Sequence, residues 1–285
     1  MSSIQSMRKG LIILGILLLI PLRLFANPFP RTSYEALGQR NMRPYPSDVL
    51  FVLIDQSVNF DNTIRSKALE LVSDWIADGR AVEVYAFSSA VPGRYTMRIT
   101  GGRIDDTPTD YFIDNLRRSD REMFNVMHAR QKTLAKRVIL NSMLQAFNGS
   151  RSEIHHTDIV RTVREISDYI HRYPAGTKSV FLVSDMLENS QVASFYYNNR
   201  IRAIAPDREL AAVAAKNMIG DFGGNVKVYI LGLGYYTVDR TKPQSENYLD
   251  SDRISNIANF WYKYFTRSRT VVMEIGKPMM FGALR

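Results

Sequence analysis

Continuous apolar runs of strand length alternate along this chain with segments whose apolar residues recur at helical spacing. The run Asp48–Asp55 is apolar at every interior position, which is typical of a strand in a parallel sheet that is covered on both faces. In the next segment, from Ile64 to Ile76, the apolar positions recur at helical spacing, and Gly79 marks the end of the helix. Strands and helices that alternate in this way predict an α/β fold, with a doubly wound, mostly parallel open sheet and helices on both faces.

The same two patterns continue to the end of the chain. Further strands are predicted, in chain order, at Ala81–Phe87, about 95–100, 179–183, Val226–Leu231 and Thr270–Ile275. Further helices are predicted at about 120–147, 159–170, about 208–219 and 254–265. We therefore expect one domain over residues 48–275, with an excursion at about 101–150 that contains an acidic loop around Asp105 and the long helix.

The N-terminus has a basic pair followed by an apolar run. Arg8 and Lys9 precede an apolar stretch at 11–20, which is short for the roughly 30 Å of hydrocarbon that a spanning helix must cross. A roughly A-x-A-like cleavage site follows and ends at Ala26. Residues 1–26 are thus predicted to be a signal peptide, or an uncleaved membrane anchor in which Arg23 reaches the headgroups. Both alternatives predict an exported protein, periplasmic or anchored to the outer face of the inner membrane.

Composition narrows the remaining choices. With 285 residues, of which 45% are hydrophobic, the chain is able to fill a sizeable core. The absence of cysteine excludes disulfides, thiolate metal sites and a cysteine nucleophile. Residues 27–47 contain several prolines and are predicted to be a linker or an N-terminal strap, while the apolar tail at 276–285 is expected to dock onto the domain. The net charge of +9 favours acidic protein, lipid headgroups or envelope polymers, unless the basic residues are only solvated helix faces; nucleic acid is not expected.

Polar residues cluster in three segments at or near the ends of predicted elements. The first contains Asp55, Ser57 and Asn59 after the first strand, the second contains Thr157 at the start of a helix, and the third contains Asp185 after the strand at 179–183. In open α/β sheets, ligands bind at the carboxyl ends of the strands. All these side chains offer oxygen, which hard cations such as Mg²⁺ prefer.

These residues resemble the metal-ion-dependent adhesion site of the von Willebrand factor A family. Its pattern is D-x-S-x-S, then a distant Thr, then an Asp after a buried strand. Asp55 and Ser57 match the first two positions, Asn59 stands where the second Ser would be, Thr157 fits the loop Thr, and Asp185 fits the last Asp. The resemblance covers about residues 48–265, most of the chain.

The resemblance implies a binding module and not an enzyme. Ser57, Asn59 and Thr157 would ligate Mg²⁺, or Ca²⁺ or Mn²⁺, directly, while Asp55 and Asp185 would act largely through bound water. An Asp or Glu of a protein partner would complete the coordination shell. We therefore expect an exported module that recruits a protein partner through a divalent cation, with membrane association through its N-terminus as a further expectation.

Two departures from the family pattern leave an alternative open. Asn59 is longer than Ser, and His155 and His156 crowd a position where the family often has small residues. The alternative is a metal-free cluster in a structural subunit of a cell-envelope or secretion assembly. In that case the residues have ordinary local roles: turn formation by Ser57, Asn59 and Asp185, and an N-cap at Thr157 with Asp158 in the first helical turn.

Other chemistry finds less support. The two adjacent histidines have no third histidine near them in sequence, so a zinc site is not expected. A hydrolase of the dehalogenase type requires a second Asp two residues after Asp55, but that position is Ser57. A serine hydrolase requires a G-x-S-x-G motif, and none occurs. An uncharacterised hydrolase is therefore the third alternative. Gly232 and Gly234 lack the third glycine of a dinucleotide fingerprint and predict a tight turn.

Overall fold

The computed structural model describes residues 28–88, 96–150, 157–198, 200–235 and 251–285. Its strands are β1 (Asp48–Asp55), β2 (Ala81–Phe87), β3 (Thr96–Arg103), β4 (Thr177–Val183), β5 (Tyr196–Tyr197), β6 (Arg200–Ile201), β7 (Val226–Leu231) and β8 (Thr270–Ile275). Its helices are α1 (Ser33–Ala36), α2 (Asn62–Trp75), α3 (Asp110–Asp114), α4 (Arg118–Asn148), α5 (Ile159–Arg172), α6 (Pro206–Ala215) and α7 (Ser251–Arg267).

One six-stranded sheet has the order β3-β2-β1-β4-β7-β8, and β5 and β6 form a separate two-stranded hairpin. Every neighbouring pair in the large sheet is parallel except β2 and β3. β1 lies at the centre, in register from Val49 opposite Ala81 on one side and from Asp48 opposite Thr177 on the other. This confirms the predicted doubly wound, mostly parallel α/β fold.

Helices cover both faces of the sheet, so the central strand is buried on both sides. Side chains alternate across a strand, and therefore Val49 and Phe51 pack with α5 and α7 whereas Leu50 and Val52 pack with α2 and α4. Each of these four side chains is fully buried. Burying one such side chain contributes about 1.5–3 kcal/mol, which explains why the apolar run predicts the bounds of β1 so well.

Two predicted elements differ from the structure. The strand expected at 95–100 extends to Arg103 and is antiparallel to its neighbour, because the connection from Phe87 to Thr96 is shorter than the dozen or so residues that a parallel crossover needs. The helix expected at 208–219 begins at Pro206 and ends at Ala215. It ends early because Asn217 adopts a left-handed conformation with φ of 56°, which stops the helix.

Of the two alternatives for residues 28–47, the structure has the strap, because the segment lies against the domain. Tyr34 is fully buried, with its ring 4.9 Å from that of Phe112 and 5.0 Å from that of Phe124 on α4. The carboxylate of Asp105 accepts hydrogen bonds from Ser33, one of them from the backbone N–H at 2.8 Å. Asp105 and Asp106 of the acidic loop are thus buried, and they hold the segment that leads into β1.

The C-terminal tail docks onto the sheet, as predicted. Met280 and Leu284 are buried, and the Tyr229 hydroxyl donates to the carbonyl of Arg285 at 3.0 Å. Across the residues that the structure describes, no helix combines the length and apolar character that a membrane span requires. The predictions for residues 1–26 and for the histidine pair fall outside the described residues.

Candidate functional site

The candidate site lies at the carboxyl ends of β1 and β4, the two central strands. The chain leaves β1 toward β2 on one side, while β4 begins the half of the sheet on the other side. A crevice opens at such a switch point, because the loops after the two strands turn in opposite directions. Asp55 ends β1, and Ser184 directly follows β4 in the neighbouring register position.

Asp55 is the centre of a hydrogen-bonded cluster. One carboxylate oxygen accepts from the backbone N–H of Ser57 at 2.8 Å and from its hydroxyl at 2.6 Å. The other accepts from the Ser184 hydroxyl at 2.7 Å. The Thr157 hydroxyl donates to the Ser57 hydroxyl at 2.8 Å, so residues from three distant segments meet here.

The loop after β4 is shaped so that it holds Asp185 beside this cluster. One carboxylate oxygen of Asp185 accepts from the Leu187 N–H at 2.9 Å, which closes a local turn. Met186 has φ of 58°, a conformation that costs a non-glycine residue energy and that surrounding contacts must support. The support comes from its N–H, which donates to the Ser184 hydroxyl at 3.0 Å, and from its carbonyl, which accepts from Trp261 at 2.8 Å.

The two aspartates are buried carboxylates close enough to influence each other. Burial raises the pKa of Asp55, although its hydrogen bonds from Ser57 and Ser184 oppose the rise. Burial, and after it the charge of Asp55, raises the pKa of Asp185 well above its ordinary value. No described lysine, arginine or histidine forms an ion pair with either. Within the part of the chain that the structure describes, the two carboxyls therefore lie in a largely buried place without a basic partner.

Asn59 and Thr157 depart from their predicted roles in different ways. The side chain of Asn59 is exposed, and its amide oxygen accepts from Arg65 at 2.5 Å instead of joining the cluster. Thr157 does not cap α5: the cap is Asp158, whose carboxylate accepts from the Arg161 N–H at 3.1 Å. The alternative in which Thr157 is the N-cap is thus wrong. Its hydroxyl is directed at Ser57 because the cap role falls to the next residue.

Ser184 belongs to the cluster, although the adhesion-site pattern contains no position for it. The only sequence signal for it is register: if β1 and β4 are neighbours that end together, the residue before Asp185 lies beside Asp55. Ser184 is fully buried, and its hydroxyl both donates to Asp55 and accepts from Met186. It therefore fixes the Asp55 carboxylate relative to the loop after β4.

Glu188 is a buried acid near the cluster that the sequence pattern did not reveal. Its carboxylate accepts from the Val160 N–H in the first turn of α5 at 2.9 Å and from the Ser190 hydroxyl at 2.5 Å. Burial raises its pKa to about 8. Backbone hydrogen bonds between Thr157 and Asn189 join the same two segments. Glu188 thus ties the loop that contains Asp185 to the helix that follows Thr157.

Aromatic residues near the site divide between core and surface. Phe195 is fully buried against Phe260, whereas Tyr197 at the tip of the β5–β6 hairpin is exposed. Burial, and after it the charges of Asp185 and Asp55, raises the pKa of the Tyr196 hydroxyl, so this ring lies beside the carboxylate pair. Core packing thus accounts for Phe195, whereas the exposed Tyr197 stays available to a partner. The turn predicted at Gly232 is confirmed by a hydrogen bond from the Tyr235 N–H to the Gly232 carbonyl at 2.9 Å.

The chemistry of these groups fits a hard divalent cation. Two carboxylates and the hydroxyls of Ser57, Thr157 and Ser184 are all oxygen donors, and a cation would neutralise the paired negative charge. The part of the chain that the structure describes contains no group of three or more His, Asp or Glu arranged for a metal. A cation held here would therefore depend on hydroxyls and water as well as on Asp55 and Asp185.

Comparisons with known proteins give structural likenesses only. No protein-family model and no curated protein matches the chain. Solved structures similar to it include an aerotolerance-related membrane protein from Bacteroides fragilis, with a TM-score of 0.33 and 11% identity over 79% of this chain and 90% of that one. Another is the pilus adhesin SpaC from Lactobacillus rhamnosus GG, with a TM-score of 0.35 and 13% identity over 80% of this chain and 31% of that one.

A third is the conserved hypothetical protein BatB from Bacteroides thetaiotaomicron, with a TM-score of 0.30 and 12% identity over 80% of this chain and 90% of that one. TM-scores of this size do not define a fold. The fold is defined here by the strand order and register of the sheet itself.

Proposed function

We propose that this protein is a non-enzymatic binding module of the cell envelope that recruits a protein partner through a divalent cation. The observation that carries the proposal is the pair of buried carboxylates, Asp55 and Asp185, which face no described basic side chain at the switch point of the sheet. The resemblance to the von Willebrand factor A family, with its adhesion site at the same edge of the sheet, supports this choice.

In this proposal each residue has a defined task. The hydroxyls of Ser57 and Thr157, 2.8 Å apart, would be the direct ligands, and Asp55 and Asp185 would hold water molecules on the ion. Ser184 would keep the Asp55 carboxylate in position. When bound, the ion would present an open coordination position to an acidic side chain of the partner. Asn59 would have to exchange its hydrogen bond with Arg65 for the ion before it could join the ligands.

The metal-free structural subunit remains the second candidate, and one observation favours it. The hydroxyls of Ser57, Thr157 and Ser184 satisfy one another and Asp55 by hydrogen bonds, so the cluster is self-consistent without an ion. In such an assembly, protonation of Asp185, whose pKa is raised, would halve the negative charge of the pair and end the repulsion between the two carboxylates.

Calorimetric titration of Mg²⁺, Ca²⁺ and Mn²⁺ into the full chain separates the two candidates. We expect saturable binding to the wild type and at least a tenfold weaker affinity, about 1.4 kcal/mol, for Asp55→Asn. Affinity should increase as the pH rises from about 6 to about 8, because protons compete with the ion for carboxyls whose pKa is raised. Asp74→Asn makes the same chemical change on the exposed side of α2 and should leave binding unchanged.

The titration is repeated with excess acetate, whose carboxylate imitates the acidic side chain of a partner. Absence of saturable heat under both conditions, with the fold intact by circular dichroism, would overturn the cation-dependent proposal and favour the structural subunit. Binding that Asp55→Asn leaves intact would place the ion elsewhere and would equally contradict the assignment.

A further inference from the structure

Helix α4 has an outward-facing stripe that the candidate site does not use. Residues three, four or seven positions apart lie on one face of a helix. This spacing aligns six exposed residues, here called the outer stripe: Met123, Val126, Arg130, Leu134, Arg137 and Leu144. The four apolar side chains of the outer stripe are 40–53% exposed. The opposite side of α4, which includes Ala135 and Ile139, packs against the sheet.

The outer stripe is basic as well as apolar. Between Met123 and Asn148 the helix contains four Lys or Arg residues and no Asp or Glu. Lys132 pairs with Asp78 at 3.0 Å. The other three basic residues, Arg130, Lys136 and Arg137, make no ion pair with any other described residue. A helix with exposed apolar side chains and unpaired positive charge has the composition of one that lies in the interface of an anionic bilayer.

The position at which the chain enters the described structure agrees with a bilayer on this side. Phe29 packs beside Gly102 on β3, and Tyr34 packs on Phe124, which lies one turn or less from Met123 and Val126. The apolar run at 11–20 ends only nine residues before Phe29, at most about 30 Å of fully extended chain. If the apolar run at 11–20 enters a membrane, this short connection therefore keeps α4 close to the lipid headgroups.

A second copy of this chain fits the outer stripe less well. In a two-fold dimer through this surface, Arg130 and Arg137 of one copy would face the same residues of the other, and like charges at such short range are unfavourable. An acidic lipid surface has no such conflict. We propose that the outer stripe of α4 docks on an anionic phospholipid bilayer, with Met123, Val126 and Leu134 in the interface and Arg130 and Arg137 against the headgroups. Lys136 lies outside the stripe and is half-buried, and its long side chain would reach the headgroups from the flank of the helix. This surface does not include any residue of the cation site.

Single-cysteine labelling of the full chain tests this surface, because the natural chain contains no cysteine. An environment-sensitive fluorophore is attached to Val126→Cys, or to Tyr262→Cys on α7, a side chain that is 52% exposed on the other side of the sheet. Each protein is added to vesicles of phosphatidylcholine alone or of phosphatidylcholine with phosphatidylglycerol. We expect the emission of the label at 126 to shift to the blue in anionic vesicles only, and the label at 262 to stay unchanged.

Charge removal provides the matched variants. Changing Arg130, Lys136 and Arg137 together to Gln should lower the docking constant, obtained from the dependence of the shift on anionic lipid content, by on the order of a hundredfold. The control changes three exposed arginines of the opposite helical layer to Gln: Arg172, Arg208 and Arg267. This control removes the same amount of positive charge and should change the docking constant only slightly.

Several outcomes would overturn the proposal. Equal emission at 126 in neutral and anionic vesicles would mean that the lipid charge is not recognised, and equal losses in the two triple variants would mean that net charge alone acts. A blue shift without vesicles that grows with protein concentration would assign the outer stripe to a second copy. A blue shift without vesicles at every concentration would mean that the chain itself covers the stripe.

Discussion

Glu188→Gln should remove the part that Glu188 contributes to the loss of stability of the wild-type protein between about pH 5 and about pH 9, while the buried Asp55 and Asp185 keep their own contributions. Burial raises the pKa of Glu188 from its ordinary value of 4.5 to about 8 in the folded protein. Between these values the folded state keeps a proton that the unfolded chain has released, so the free energy of unfolding falls as the pH rises. At pH values above the folded pKa, ionisation of Glu188 lowers the free energy of unfolding by about 5 kcal/mol.

Glutamine is able to keep the local contacts without ionising. Its carbonyl accepts from the Val160 N–H as the carboxylate does, and its amide donates to the Ser190 hydroxyl in place of accepting from it. Urea unfolding of both proteins across this pH range gives the comparison, with the exposed Glu70→Gln as the control, which should follow the wild type within about 0.5 kcal/mol. Parallel profiles for Glu188→Gln and the wild type would show that Glu188 does not titrate as its burial indicates.

Trp261→Ala should destabilise the protein by about 3–5 kcal/mol, the range for removal of a large aromatic side chain from a core. Trp261 is fully buried, its ring 5.0 Å from that of Phe260 and 5.4 Å from that of Tyr264. For a domain of this size the loss corresponds to a fall in Tm of roughly 6–20 °C, measurable by calorimetry. The substitution also deprives the Met186 carbonyl of its donor, so the loop that contains Asp185 loses a support.

Two variants separate the packing effect from the hydrogen bond. Trp261→Phe keeps most of the ring but leaves the Met186 carbonyl without its donor, and should cost about 1–3 kcal/mol. Tyr262→Ala removes the exposed aromatic next in sequence and should change stability by about 0.5 kcal/mol or less. If Trp261→Ala is no more destabilising than Tyr262→Ala, the buried environment described for this residue is incorrect.

The pattern predicted elements best where burial is continuous. The bounds of β1, Asp48–Asp55, were predicted because both faces are covered and every interior position had to be apolar. α4 was predicted to within two residues at its start and one at its end, since its buried side repeats over many turns. Helix ends set by backbone conformation were not predictable in this way, as the early stop of α6 before Asn217 shows.

Contacts between distant segments account for most of what sequence reasoning missed. Nothing near Tyr34 in sequence indicates that the ring of Phe124 will bury it, so the prolines around it left a linker and a strap both open. In the same way Ser184 and Glu188 look like ordinary loop residues until β1, β4 and α5 are brought together. Asp55, Ser57, Thr157 and Asp185 were placed at one edge by topology alone, and their roles as ligands remain a prediction.

The groups of the candidate site come from positions far apart along the chain, and this separation governs when the site forms. Asp55 and Ser184 are 129 positions apart, and Ser57 and Thr157 are 100 apart. Loops of this length close late, because their entropy must be lost before the contacts form. A cation bound at this site, as proposed, should therefore lower the unfolding rate and leave the refolding rate unchanged. Stopped-flow experiments with and without Mg²⁺ measure both rates.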